Sequence, residues 1–236
     1  MHRTFTAALV IVVGTTGVLT GRAQNAAPRG PAPSLTRPAT PAKAPDADGF
    51  LQRWMILEPI PVSGQLTDSA VQTMVRTEYF PNQLTAIPRD GDRLTVGDRQ
   101  LAWHAVDTTG YNVNLYHFAY ALNKPTSNVL FWVLTVVNAA QEMSGVRLAI
   151  GSNAASVWWI NDQEVIAIYN ERQTVVDDGV SKRLMLKKGP NLVRAAIINA
   201  GGHTDFCARF LDSEDRPLKG ITVSVASPSN TGRGSK

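Results

Sequence analysis

A chain of 236 residues, 44% hydrophobic and 18% charged, can bury a core of ordinary size, which excludes a fibrous or wholly disordered polypeptide. Its formal net charge is +4, and Arg3 and Arg22 lie in a leader-like start, so the remainder carries about +2. With no long run of like charges, the sequence has no footprint for nucleic acid.

Met1-His2-Arg3 is a short positive start. The apolar stretch from Phe5 to Leu19 that follows is too short for a comfortable transmembrane helix. Gly21-Arg22-Ala23 places small residues where a signal peptidase reads. Residues 1–23 are therefore expected to be a signal peptide, with Ala27 as a second cleavage point and an uncleaved anchor as the alternative. A secreted or periplasmic location follows, with no transmembrane span in the mature chain. No cysteine lies near the junction to take a lipid. Cys207, the single cysteine, leaves no internal disulfide and is expected as a half-buried strand residue; pairing between chains is the alternative.

Residues 24–48 carry prolines at 28, 31, 33, 38, 41 and 45 among Ala, Ser, Thr and Arg, which predicts a disordered, extended linker. One folded unit is expected over 49–225, and the polar stretch 226–236 is expected as a disordered tail. "FLQRWMIL" reads as an opening strand that stops at Pro59. Asp68–Phe80 is the one helical candidate, capped by Thr67 or Asp68, with Val71, Met74 and Val75 at helical spacing and Pro81 as its end. "RLTVGDRQLAWHAVD" reads as a hairpin turning at Gly97-Asp98. "NLYHFAY" reads as an aromatic strand holding a hydrogen-bonded His117.

Val129–Ala140 is a continuous apolar run rich in β-branched and aromatic residues, which predicts a central strand covered on both faces. "SGVRLAIGS", a hairpin at Ser156–Ile168, a second turning at Lys188-Gly189-Pro190, "TDFCARFLD" and "GITVSV" complete the pattern. Many short strands with turn signals and almost no helix predict an all-β, antiparallel jelly-roll β-sandwich with one short helix.

Several stretches resemble the galactose-binding-like jelly-roll modules of secreted bacterial proteins. Trp54, Leu57 and Pro59 match their Trp-x-x-Leu-Gly-Pro opening, with Glu58 in place of the glycine. Gly151, Ser152, Trp159, Ile160, Asn161 and Val165 fit their Gly-Ser-Asp-Asp-Gly and Trp-Leu-Asn-Gly stretch. Leu186, Lys187, Gly189, Asn191 and Val193 fit their Leu-Lys-x-Gly-x-Asn-x-Leu hairpin, and "FCARFLDSEDRPLKGI" resembles their last strand and turn. The resemblance covers most of residues 50–222. It implies a sandwich used for sugar binding, other binding or scaffolding. Lectin-like relatives bind sugar through calcium held by paired aspartates. Here those positions are Asn153 and Ala154, which lack that charge, so no cofactor is expected and calcium is disfavoured.

Alternation along a strand sends Trp158 and Trp159 to opposite faces. A two-residue turn at Asn161-Asp162 pairs Ile160 with Gln163, Trp159 with Glu164 and Trp158 with Val165. Trp158, Ile160, Val165, Ala167 and Tyr169 are then assigned to the core. Trp159 shares the other face with Glu164, Ile166 and Ile168 and has two readings: packed structure, or a ring that stacks a sugar beside the Glu164 carboxylate.

No nucleophile elbow, His-Glu-x-x-His or phosphate-cradling loop occurs, and the acidic pairs at Asp177-Asp178 and Asp212–Asp215 fall in predicted turns. No catalytic or metal-ligating set is assigned. His104 is expected at the surface, and His203 with Asp205 could line a loop-end site. The candidate ligand contacts are Trp159, Glu164, Asn153, His203 and Asp205. The expected function is a non-catalytic binding module for a polysaccharide or glycan. The alternatives are a structural module that docks another envelope protein and a glycan-active hydrolase.

Overall fold

The computed structural model describes residues 35–169 and 173–225. The expected signal peptide, the first part of the linker and the tail lie outside them. In chain order the first elements are β1 (Leu35–Thr36), β2 (Ala42–Lys43), β3 (Arg53–Leu57), β4 (Ile60–Pro61), α1 (Asp68–Met74), β5 (Arg93–Val96), β6 (Arg99–Thr108), β7 (Val113–Asn114), α2 (Leu115–Ala121) and β8 (Val129–Ala139). There follow β9 (Met143–Ser152), β10 (Ala155–Ile160), β11 (Gln163–Ile168), β12 (Gly179–Val180), β13 (Leu184–Leu186), β14 (Gly189–Asn199), β15 (Asp205–Leu211) and β16 (Ile221–Ser224).

The strands pair antiparallel in two sheets. The larger has the spine β1-β6-β3-β8-β14-β10-β11, with β2, β4, β5 and β16 on its flanks. The smaller has β12-β9-β15-β7, with β13 beside β9. This is the all-β sandwich that the sequence predicts.

β8 is the central strand. Val129, Phe131, Val133 and Val137 face β9 and β15, where Val146, Leu148, Ile150, Phe206 and Phe210 close the inter-sheet core. Leu130, Trp132 and Leu134 point the other way, into a second apolar layer with Trp103, Val157, Trp159 and Ile198. Val71 and Val75 from the region of α1, together with Phe80, cover that layer. Burial on both faces explains why the strand reads as an unbroken apolar run.

α1 begins where expected, with Thr67 Oγ1 accepting from the Ala70 N–H at 3.3 Å, but it ends at Met74, well before Pro81. Gln83 competes for the chain beyond it. Its amide oxygen accepts from Tyr79 N–H at 2.9 Å and its amide nitrogen donates to Thr77 O at 3.0 Å. That turn drops Phe80 edge-on against Trp103 and Trp132.

The Gly97-Asp98 hairpin forms as read, with Val96 paired to Arg99. The expected hairpin at Lys188-Gly189-Pro190 does not form. β13 pairs with β9 of the smaller sheet, and β14 pairs with β8 and β10 of the larger, so the chain changes sheet at this corner. Buried Asn191 holds the corner. Its amide donates to Lys187 O and Gly189 O and accepts from Lys187 N–H.

The later part of the expected linker is also structured. Leu35–Thr36 pairs with β6, Ala42–Lys43 pairs with β16, and Thr40 O accepts from the buried Arg53 guanidinium at 2.6 Å. Proline is tolerated there because these are edge positions. No helix among the described residues is long and apolar enough to cross a membrane.

Candidate functional site

The hairpin β10–β11 turns on Asn161 and Asp162, both left-handed (φ 48° and 68°), as two-residue hairpin turns require. Ile160 pairs with Gln163 and Trp159 with Glu164, as read. A β-bulge then shifts the register, so Trp158 faces Ile166 and not Val165. The bulge reverses the faces beyond it. Ile166 and Ile168 join Trp158 on the inter-sheet side, and Ala167 and Tyr169 join Trp159. The apolar face expected from Trp159, Ile166 and Ile168 therefore does not exist.

Trp159 is 6% exposed and stacks on Trp132 with ring centroids 5.4 Å apart. It has no open ring face for a sugar, which corrects the platform reading in favour of packing. Glu164 accepts from Arg76 Nε at 2.9 Å and Nη2 at 2.7 Å, tying the chain just after α1 to the hairpin. The same guanidinium lies over the Tyr169 ring at 5.7 Å.

The other three candidates meet at the opposite end of β10, about 20 Å away by strand rise. Asn153 is engaged by the loop before β15. Its oxygen accepts from Asp205 N–H at 2.9 Å and its amide donates to His203 O at 2.8 Å. Asp205 is also engaged. Asn112 Nδ2 donates to one oxygen at 2.7 Å and Thr174 Oγ1 to the other. His203 is exposed and carries no side-chain hydrogen bond among the described residues.

α2 completes this loop end. "NLYHFAY" is a helix and not the expected strand, because Asn114 caps it by accepting from His117 N–H at 2.7 Å. Thr204 O accepts from Leu115 N–H and Tyr116 N–H, which seats the helix on the 199–204 loop. Leu115, Phe118 and Ala119 are buried. Tyr116, half-buried, and Tyr120, exposed, lie four residues apart with ring centroids 6.2 Å apart and planes 8° apart. His203 lies 5.2 Å from Tyr116 and 6.5 Å from His117, ring centre to ring centre. His117, expected to be hydrogen-bonded, has no side-chain hydrogen bond among the described residues. Read at strand period, the segment gives no sign that the two tyrosine rings meet. Asn114 followed by apolar Leu115, Phe118 and Ala119 is the helical signal.

On its other side α2 lines a pocket of about 180 Å³ with Leu35, Val106 and Leu122 as apolar wall and His104, His117 and Asp90 as polar groups. Asp90 is spent on Ala105 N–H at 2.9 Å and Arg37 at 2.9 Å. His104 is half-buried, and its Nε2 stands 3.4 Å from Glu58. Glu58 also meets Lys124 Nζ at 2.9 Å and accepts from Ala102 N–H at 3.3 Å. Burial alone would push this carboxyl up, but Lys124, the Ala102 N–H and His104 together hold it below its ordinary value. Cys207 is buried, and burial pushes its thiol up to about 11, so it is an unreactive strand residue. No group of three or more His, Cys, Asp or Glu side chains among the described residues could hold a metal ion.

No protein-family model matches the chain, and no curated protein matches it. Among solved structures it is similar to a β-glucosidase from Kluyveromyces marxianus in complex with glucose, at 21% identity and a TM-score of 0.37, over 53% of this chain and 16% of that one. The α-xylosidase of glycoside hydrolase family 31 from Xanthomonas citri aligns at 9% identity and a TM-score of 0.28, over 53% and 14%. The chain thus spans less than a fifth of either enzyme.

Proposed function

We propose that this chain is an exported, non-catalytic carbohydrate-binding module of galactose-binding-like type, with its contact surface at the loop end formed by α2 and the 199–205 loop. The observation that carries this reading is the parallel pair of half-buried Tyr116 and exposed Tyr120 beside exposed His203. Aromatic faces stack on the C–H faces of pyranose rings, and a fixed tyrosine contributes that contact at little entropic cost. The support is geometric: a capped helix on a rigid sandwich edge presents the rings, and Asn153 and Asp205 brace the loop beneath them. Isothermal titration against a panel of soluble polysaccharides tests it. Saturable binding that is lost in the Tyr116→Ala/Tyr120→Ala variant supports the reading, and wild-type protein that binds no glycan overturns it.

A second reading, a protein-interaction module, is favoured by the exposed Val175, Val176, Val180 and Met185 along the edge of the smaller sheet. Concentration-dependent self-association that Val175→Ser/Val180→Ser abolishes would favour it.

A further inference from the structure

We infer a second binding site, independent of the glycan surface: the pocket between α2, β6 and β1 takes a single phenolic ring, its hydroxyl paired with the imidazoles of His104 and His117. The pocket measures about 180 Å³. An apolar cavity of about 150 Å³ holds one benzene molecule, so this one has room for a six-membered ring with one small substituent. Its walls are carbon: Leu35 from β1, Val106 from β6, Phe118 from α2 and Leu122 from the C-cap of α2. A pyranose carries a hydroxyl on most of its carbons, and against such walls most of them would lose water without gaining a partner. The ring that fits is apolar. A flat one suits the site, because Phe118 already packs edge-on against His104, ring centres 5.6 Å and planes 73° apart, the geometry in which aromatic rings attract.

The polar lining is divided between mouth and interior. Thr36 and Arg37 are exposed, and Arg37 meets Asp90 at 2.9 Å, which puts this ion pair at the mouth. Asp90 also accepts from Ala105 N–H. The half-buried groups left for a ligand are the two imidazoles. His104 places Nε2 3.4 Å from Glu58 and keeps Nδ1, and His117 has no side-chain hydrogen bond among the described residues. A neutral imidazole has one donor nitrogen and one acceptor nitrogen. A hydroxyl both donates and accepts, so it pairs with either ring whichever nitrogen carries the proton. A carboxylate only accepts, and a bare hydrocarbon leaves both imidazoles without a partner. One flat apolar ring bearing one hydroxyl is the chemistry that suits the walls and the imidazoles together. Its binding would bridge β1 to α2 and so tie the stretch before the sandwich to the fold.

Nuclear magnetic resonance titration of isotope-labelled protein tests this with three matched probes. Phenol has the flat ring and the hydroxyl, toluene the flat ring alone, and myo-inositol a hydroxyl on every carbon of a saturated ring. The expected result is saturable phenol binding with a Kd of about 1 mM or tighter, the scale for a ligand of so few atoms. Its shifts should centre on the amides of β1, β6 and α2. Phenol should bind about fivefold tighter than toluene, the worth of one added hydrogen bond, and myo-inositol should not bind. Ala121→Trp, at an exposed position that lines the pocket, should block phenol without disturbing the core. His104→Leu/His117→Leu should keep toluene binding and lose the preference for phenol, and its retained toluene binding shows that the pocket is intact. Absence of saturable phenol binding, toluene or myo-inositol binding as tight as phenol, or phenol shifts that survive Ala121→Trp each overturn the inference, and Ala121→Trp decides it even where the double variant does not fold.

Discussion

Trp159 lies face to face with Trp132, ring centres 5.4 Å apart and planes 22° apart, in the layer between the larger sheet and its helical cover. Trp132 comes from the middle of β8 and Trp159 from β10, so the stack bridges across the intervening strand β14. The second tryptophan of the Trp158-Trp159 pair is as structural as the first. Trp159→Ala is expected to destabilise the protein by about 3–5 kcal/mol, the range for emptying a buried aromatic site. Urea denaturation measures it. A loss below about 1 kcal/mol would mean that the ring is not held in this layer.

Glu164 is committed to Arg76, and both side chains are 38% exposed. Such a pair contributes about 1 kcal/mol at most, even with bidentate geometry. A double-mutant cycle of Glu164→Gln and Arg76→Met is expected to give a coupling of that size or smaller, shrinking in high salt. Glycan titrations of Glu164→Gln are expected to match wild type, since the carboxylate lies at the far end of β10 from the tyrosines.

Much of this architecture is legible in the sequence, and the failures share a cause. The apolar run of β8, the Gly97-Asp98 turn and the Asn161-Asp162 turn announce themselves because each depends on local chemistry: two-sided burial, or residues that tolerate positive φ. The bulge after Trp158 does not, because one extra residue in a ladder leaves no local mark, yet it reverses every later side chain. The corner at Lys188–Pro190 carries hairpin residues but joins two sheets, a choice made by the distant partners β8 and β9. Of the five candidate contacts, Asn153, His203 and Asp205 converge and Trp159 and Glu164 do not. Tyr116 and Tyr120 were hidden by a strand reading that the Asn114 cap overrules.

Glu58 should make stability acid-sensitive. Its folded value is held below its ordinary 4.5 by Lys124, the Ala102 N–H and His104 against the opposing effect of burial. The native state thus binds this proton more weakly than the unfolded chain. The stabilisation is complete above about 4.5 and is lost as the pH falls through the lowered folded value. Urea midpoints measured from about pH 6 down to about pH 3 are expected to fall less steeply in Glu58→Gln than in wild type. Parallel curves would remove Glu58 from the acid response.

Gly151 is fixed by a close approach and not by its backbone angles. A Cβ there would stand 2.1 Å from the carbonyl oxygen of Val175 and 3.0 Å from Cys207 Sγ. Gly151→Ala must push the 175 segment off the smaller sheet, breaking the cover over Cys207. The expected result is a large stability loss, about 2–4 kcal/mol, together with faster reaction of Cys207 with a thiol reagent in native protein. An alanine variant of unchanged stability would show that this segment does not sit against β9.

The last prediction concerns the cap that makes α2 a helix. A seven-residue helix has too few internal hydrogen bonds to persist alone, so it depends on its buried face and its first turn. Asn114 Oδ1 satisfies His117 N–H at 2.7 Å, and Thr204 O satisfies the N–H groups of Leu115 and Tyr116. Removing the side chain in Asn114→Ala is expected to cost about 1 kcal/mol of global stability, the usual value of such a cap. The effect on binding should be larger than that loss suggests. If α2 frays, Tyr116, His117 and Tyr120 lose their fixed spacing, while Leu115 and Phe118 keep the chain anchored. Asn114→Asp, which can still accept from His117 N–H, should retain both helix and binding. Hydrogen exchange of the 115–121 amides, read beside glycan titration, checks the coupling. Fast exchange with unchanged affinity would show that the tyrosine pair is not the contact surface.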